Sequence, residues 1–314
     1  MSALLEAKVT AVRQLTPVVR EFTFEAAERQ LPGFSSGSHV QVLMPLGERT
    51  LRNAYSLLGD PADSSHYRIA VRLQDDSRGG SRFMHERVAV GDRLRLSRPH
   101  NLFPLHSQAS HHVLVAGGIG ITPFMAYIAE LQARGASFEL HYAFRGHLTD
   151  AYVDELAERL GDRLHAYDAS ASRRLDLAAL LAGQPLGTHL YACGPQRLLV
   201  GLREQARALG WPDGRVHWEA FAAPEPGLPF SVELARSGQR IEVPADLSLL
   251  EALEAAGVEL PNLCRGGVCG QCATRYLAGA VEHRDHYLDE GQRTESLMPC
   301  VSRGGCASAL LLDL

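Results

Sequence analysis

The sequence predicts a chain in three parts: an antiparallel β-barrel, an α/β unit on a parallel sheet, and a small α+β unit carrying a four-cysteine loop. Three observations predict it. Short alternating apolar segments broken by Gly and Pro run from Ala7 to about Arg98, the spacing of a barrel. Beyond His111 strand and helix patterns alternate, which argues a doubly wound parallel sheet. Cys264, Cys269 and Cys272 then stand in C-x4-C-x2-C spacing, with Cys300 further on.

In the first part the alternating segments are 8–12, 19–24, 39–44, 67–73 and 93–96. Among them lies Arg52-Asn53-Ala54-Tyr55-Ser56-Leu57. Arg78-Gly79-Gly80-Ser81 follows the fourth segment and precedes a short helical stretch, Arg82 to Arg87. Gly-Gly-Ser thus falls at a helix N-terminus, where free N–H groups and the dipole attract phosphate; an ordinary capped turn is the alternative.

In the second part, 111–116 reads as a buried strand and Gly117-Gly118-Ile119-Gly120-Ile121-Thr122-Pro123 as a glycine-rich turn. A helix over 124–134 is expected to take Thr122 as its cap and Pro123 as its first residue. Strand 138–144, helix 152–160, strand 188–193, Cys193-Gly194-Pro195 and helix 196–209 follow, and 216–221 closes the part. Arg145, just past a strand end, suits an adenosine ribose or a 2′-phosphate, or is a plain loop arginine. Residues 222–229 read as a Pro-rich, semi-rigid linker.

In the third part, 230–235 and 239–243 alternate as a hairpin about Ser237-Gly238. Ser248 with Glu251 forms a capping box, and Gly257 stops the helix it opens. The cysteine spacing matches plant-type [2Fe-2S] ligation by Cys264, Cys269, Cys272 and Cys300. Gly266, Gly267 and Gly270 let the backbone wrap closely and aim N–H groups at sulfur. Structural zinc, the competitor, favours paired C-x2-C knuckles, and only one is present. Cys306 lies outside the pattern and suits a small buried side chain.

With 314 residues the chain suits two or three domains. No apolar run approaches the ~18 residues that cross a bilayer, and the first residues lack signal-peptide features, so no membrane association and a cytoplasmic location are expected. Six cysteines then fit a metal cluster in a reducing compartment. The net charge of −5 falls entirely on residues 228–314, which hold 12 acidic residues against 7 arginines and no lysine. Such a face steers a basic partner or simply solubilises. No basic stripe points to nucleic acid.

Arg52, Tyr55 and Ser56 resemble the R-x-Y-S flavin motif of the ferredoxin reductase superfamily, and G-G-x-G-x-T-P followed by C-G-P resembles its nicotinamide signature. With the cysteine loop last, the order of blocks resembles the phthalate dioxygenase reductase family, which includes vanillate demethylase and carnitine monooxygenase reductases. The resemblance implies an antiparallel β-barrel flavin domain (1–105), an α/β parallel-sheet nicotinamide domain (106–223) and an α+β plant-type ferredoxin domain (224–314). FMN is the implied flavin, with FAD the alternative. Arg52 would pair with its phosphate, Tyr55 pack on the ring with Leu57 beside it, and Ser56 approach N5. Ala70, Val71 and Arg72 would run along the ring, and Gly79, Gly80 and Ser81 hold the phosphate. Arg52, however, precedes Tyr55 by three positions rather than two, and on a strand a one-residue shift reverses the face. Either a bulge restores Arg52 or Asn53 takes its place.

For NADH, with NADPH the alternative, the same resemblance puts Gly117, Gly118 and Gly120 on the pyrophosphate and Thr122 at the nicotinamide. Cys193, Gly194 and Pro195 would flank that ring and Arg145 the adenosine, while Glu219 and Phe221 lie near the flavin. Ser56, Thr122 and Cys193 are the catalytic candidates; Cys193 as a buried, inert thiol is the other reading. The implied activity is that of an NADH-dependent oxidoreductase serving a Rieske-type oxygenase through FMN and a [2Fe-2S] cluster. NADH yields two electrons as hydride, a cluster takes one, and a flavin handles both. The alternatives are an FAD-dependent reductase of another hydroxylase system and a redox-sensing binding protein.

Overall fold

Apolar residues on every second position of β1 (Leu5–Thr16) and β2 (Val19–Ala26) turn Ala7, Val9, Phe22 and Phe24 into one interior. The computed structural model describes residues 4–27, 30–47, 49–75, 77–221, 225–305 and 309–314, so Cys306 lies outside the described residues. The same interior receives β3 (Ser38–Leu46), β4 (Arg49–Ser56), β5 (His66–Arg72), helix α1 (Gly80–Arg87) and β6 (Arg93–Leu96). These strands run antiparallel in the order β4-β3-β6-β1-β2-β5, with β7 (His100–Asn101) paired to β3. A bridge between Leu58 and Arg68 carries the chain just after β4 onto β5.

A parallel sheet follows. Its elements are β8 (His111–Gly117), α2 (Thr122–Ala133), β9 (Phe138–Phe144), α3 (Val153–Leu160), β10 (Leu164–Asp168), α4 (Leu177–Ala182), β11 (Thr188–Cys193), α5 (Gln196–Ala208) and β12 (Val216–Glu219). Their order is β10-β9-β8-β11-β12. Chain order reverses on either side of β8, and a crevice opens at the carboxyl ends of strands at such a reversal. One expectation fails here. A 3-10 turn, Gly118–Ile121, precedes α2, so Thr122 is already helical (φ −58°, ψ −46°) and Pro123 is the second residue. A cap must be extended to accept from the turn ahead of it; Thr122 Oγ1 instead donates to the Ile119 carbonyl at 3.0 Å.

The chain divides into two compact units, Met1–Phe221 and Ala222–Leu314. Within the first, Val19, Leu58, Ala70 and Phe103 pack in one core with Phe124, Tyr127 and Tyr191. Polar ties join the same parts: Thr16 Oγ1 donates to Leu148 O at 2.8 Å, and Tyr152 Oη to Glu21 Oε2 at 2.7 Å.

The second unit contains β13 (Phe230–Leu234), β14 (Arg240–Val243), α6 (Leu249–Ala255), β15 (Thr274–Ala278), β16 (Val281–Glu282), β17 (Ser296–Leu297), β18 (Arg303–Gly304) and β19 (Leu310–Leu312). The sheet order is β14-β13-β19-β15-β17. The capping box forms as expected: Glu251 N donates to Ser248 Oγ at 3.2 Å, and Ser248 N to Glu251 Oε2 at 2.8 Å. Gly257, at φ +82°, ends the helix. No helix among the described residues is long and apolar enough to cross a membrane.

At the amino ends of the parallel strands, His106, His189 and His217 stack, with ring centroids 4.3 Å apart for the first pair and 5.2 Å for the second. Burial above all, then the charges of His106, His217, Arg215 and His112, pushes His189 down to about 4. A histidine whose folded pKa lies below its unfolded value of ~6.5 takes its proton more readily in the unfolded chain. Stability from this stack is therefore complete above that value and is lost as pH falls toward 4. Thermal melts should show Tm dropping across this window, and His189→Gln should shallow the drop by a few degrees; an equally steep curve in the variant would count against the stack.

Candidate functional site

A cavity of about 950 Å³ lies at the carboxyl ends of β8, β9 and β11, where the strand order reverses. Of the residues singled out in the sequence, Arg72, Gly117, Gly118, Gly120, Arg145, Gly194, Pro195 and Phe221 line it. The glycines are there because two turns meet backbone to backbone. A Cβ on Gly120 would stand 2.2 Å from the Cys193 carbonyl oxygen, and one on Gly194 3.0 Å from Gly117 Cα. No larger residue fits such an approach. Bare backbone at a helix start beside cationic side chains suits a pyrophosphate.

Thr122, Cys193 and Glu219 are not among the lining residues. Thr122 is buried, its hydroxyl engaged with the preceding turn. Cys193 is wholly buried, and burial, followed by the Glu219 carboxylate, holds its thiol well above the usual range. A thiol so held is neutral and no nucleophile. Sequence reasoning missed Arg173, Arg174 and Arg197, which line the cavity beside Arg145. They lie outside every recognisable motif.

In the barrel, β3 and β4 pair without a break in register from Leu46↔Arg49 to His39↔Ser56. No bulge intervenes, so Asn53 shares the face of Tyr55, while Arg52, Ala54 and Ser56 take the other. Asn53 Nδ2 donates to Tyr55 Oη at 3.2 Å, and a Cβ on Gly80 would lie 2.3 Å from that same nitrogen. Desolvation, against the pull of Asn53, pushes the Tyr55 phenol up to about 12. Helix α1 does begin at Gly80, with Gly79 ahead of it at φ +112°. Ser81 Oγ donates to Ser77 Oγ at 2.9 Å and accepts from Gln74 N at 3.2 Å. Ser56 and Leu57 are buried. On β5, Ala70 enters the core shared with the parallel sheet, and Val71 enters the barrel core. A side-chain amide beside a cradle that a Cβ would fill, at a helix N-terminus, fits a phosphate.

In the second unit the four cysteines of the pattern lie as two pairs, Cys264 beside Cys269 and Cys272 beside Cys300. Within the first pair the neighbouring Cys264 thiol pulls Cys269 down to about 6, while Cys264 itself is pushed up by Cys269 and by burial. The backbone N–H of Gly266 donates to the Cys264 sulfur at 3.4 Å. Four soft donors in two pairs suit a [2Fe-2S] cluster, which Cys264, Cys269, Cys272 and Cys300 would hold. Gly267 and Gly270, at φ +75° and +76°, give the loop its turns. Arg265, also left-handed at φ +53° and buried, is a residue the sequence did not single out. Its guanidinium meets both Glu254 oxygens at 2.8 Å, fastening the loop to α6.

The chain is similar to known proteins. The 2Fe-2S iron-sulfur cluster binding domain family matches residues 232–303, and the N-terminal domain of dimethylamine monooxygenase subunit DmmA-like proteins matches residues 96–216. The heme-dependent oxidative N-demethylase beta subunit of Ectopseudomonas mendocina is 68% identical over 314 residues, all of both chains. The carnitine monooxygenase reductase subunit of Escherichia coli is 44% identical, over 99% of this chain and 98% of its own. Phthalate dioxygenase reductase, solved as a modular structure for electron transfer from pyridine nucleotides to [2Fe-2S], superposes with a TM-score of 0.88 at 34% identity. That superposition covers 99% of this chain and 98% of the other.

Proposed function

This chain belongs to the phthalate dioxygenase reductase family, and from that premise we propose that it is the NADH-dependent reductase component of an oxygenase system, working through FMN and a [2Fe-2S] cluster. The observation that carries the proposal is the gathering of four thiols in two pairs, with the Gly266 N–H on the Cys264 sulfur, in a segment that matches the 2Fe-2S domain family. Bound together, the three groups would supply acceptance of electrons in pairs and their release one at a time.

The residues divide that labour by holding and orienting. Gly117, Gly118, Gly120 and Gly194 present backbone to the nucleotide pyrophosphate, and Arg145, Arg173, Arg174 and Arg197 offer it countercharge. Gly79, Gly80 and Ser81 open a helix toward the flavin phosphate, with Asn53 in the place beside Tyr55 and Arg52 on the opposite face. Cys193 acts by fixing the turn that Gly120 meets, its thiol remaining protonated. Cys264, Cys269, Cys272 and Cys300 ligate the irons. On this reading the flavin part covers 1–105, the nicotinamide part 106–223 and the ferredoxin part 224–314.

Chromatography of heat-released flavin should give FMN, and an adenine-containing product would refute that choice. The acceptor has two readings. The family resemblance favours a Rieske-type oxygenase, whereas 68% identity to a subunit named for a heme-dependent oxidative N-demethylase favours a haem-containing acceptor. Anaerobic reduction by NADH of each purified acceptor through this chain separates them; reduction of neither would overturn the proposal.

A further inference from the structure

Away from the cavity's glycine turns, the outer strands of the parallel sheet gather a second set of donors. His141 on β9 pairs in register with His165 on β10, and Glu139 lies two residues before His141, hence on its face of the sheet. His141 Nε2 stands 3.2 Å from Glu139 Oε1, and His165 Nε2 stands 3.6 Å from Glu139 Oε2. Donor atoms around one tetrahedral zinc, at bond lengths of ~2.0–2.1 Å, lie ~3.4 Å apart. One donor atom from each of the three residues lies within 4.8 Å of the others.

The buried histidine marks this as more than an acidic surface patch. The His141 side chain is 6% exposed. Its Nδ1 is held by Tyr167 Oη at 3.0 Å, while Nε2 faces Glu139 Oε1 at 3.2 Å without hydrogen-bond alignment. Protonated, that nitrogen meets the carboxylate off the hydrogen-bond axis; bare, it sets a lone pair against it. A cation between them resolves either case. Tyr167 fixes the ring from the other nitrogen, as hydrogen-bonded partners of metal-bound histidines do. Gln184 Nε2 donates to Glu139 Oε1 at 2.8 Å and orients the carboxylate in the same way. His165 is the exposed member, so an ion has a way in from solvent and a place for water as fourth ligand.

We propose that Glu139, His141 and His165 form a binding site for one divalent transition-metal ion of the zinc type, on the outer strands of the nucleotide sheet. Two imidazoles and one carboxylate suit Zn²⁺ and disfavour Ca²⁺ or Mg²⁺, which take oxygen ligands. The test is calorimetric titration of Zn²⁺ into the whole protein, desalted and with flavin and cluster in place so that the cysteine thiols are occupied. One Zn²⁺ per chain should bind at ~10 µM or tighter. His165→Ala and Glu139→Gln should each weaken it by ~10-fold or more, and His189→Gln, in the histidine stack, should leave it unchanged. Melting curves verify that each variant is folded. In oxidised protein, Cu²⁺ substituted for Zn²⁺ should show two-nitrogen coupling in its paramagnetic resonance spectrum, reduced to one in His165→Ala. Absence of a site at this affinity, equal binding in Glu139→Gln, or loss in His189→Gln would each overturn the assignment.

Discussion

Cys272→Ser should lower NADH-driven reduction of cytochrome c by ~100-fold, while ferricyanide reduction by the same preparation stays within about 2-fold of the parent. The contrast follows from where the residue sits. Cys272 is 3% exposed and sits beside Cys300, so its replacement removes one of four soft donors and leaves a hard hydroxyl in its place. The nucleotide cavity and the Gly79–Gly80 turn belong to the other compact unit and keep their structure. An acceptor that takes electrons ahead of the cysteine loop therefore loses little. Cytochrome c turnover unchanged in the variant would mean that electrons do not leave through this loop.

Gly120→Ala should be nearly as damaging by a different route. Its new Cβ would stand 2.2 Å from the Cys193 oxygen, 2.5 Å from the carbonyl carbon and 2.8 Å from Gly194 N, all backbone atoms that cannot swing aside. Overpacking of this kind costs about 2 kcal/mol or more, or about 6 °C in Tm for a unit of this size. Because the displaced turn carries Gly194 and Pro195, the KM for NADH should rise ~10-fold, the loss expected when one side of a binding turn shifts. Gly214→Ala is the control: nothing lies within 4 Å of its Cβ position, and its effect should stay within about 0.5 kcal/mol. Equal behaviour of the two variants would show that the close approach is not required.

Elements with a periodic pattern and a punctuation mark at each end were readable in the sequence. Helix α6 carried both, in Ser248 with Glu251 and in Gly257, and all formed as expected. Strand β10 and helix α4 escaped notice, because one is a five-residue edge strand and the other a six-residue helix, each too short for its period to stand out. Thr122 and Pro123 have the composition of a helix start, yet the intervening 3-10 turn moved that start, and propensity carries no information about such a turn. The four cysteines that lie in pairs were legible from spacing alone. Which of Arg52 and Asn53 faces Tyr55 was not, since that depends on whether the strand bulges, a property of its pairing with β3. Arg265 and Glu254, eleven residues apart, meet only once the loop has folded back on its helix.

The core that Val19, Leu58, Ala70 and Phe103 share with Phe124, Tyr127 and Tyr191 bears on where this chain can be cut and rejoined. A crossover near residue 105 would strip aromatic side chains from both fragments and leave neither with a finished interior. One at Ala222, between the compact units, severs none of that packing. The last 93 residues are thus an exchangeable cassette, whereas the first 221 are inherited whole.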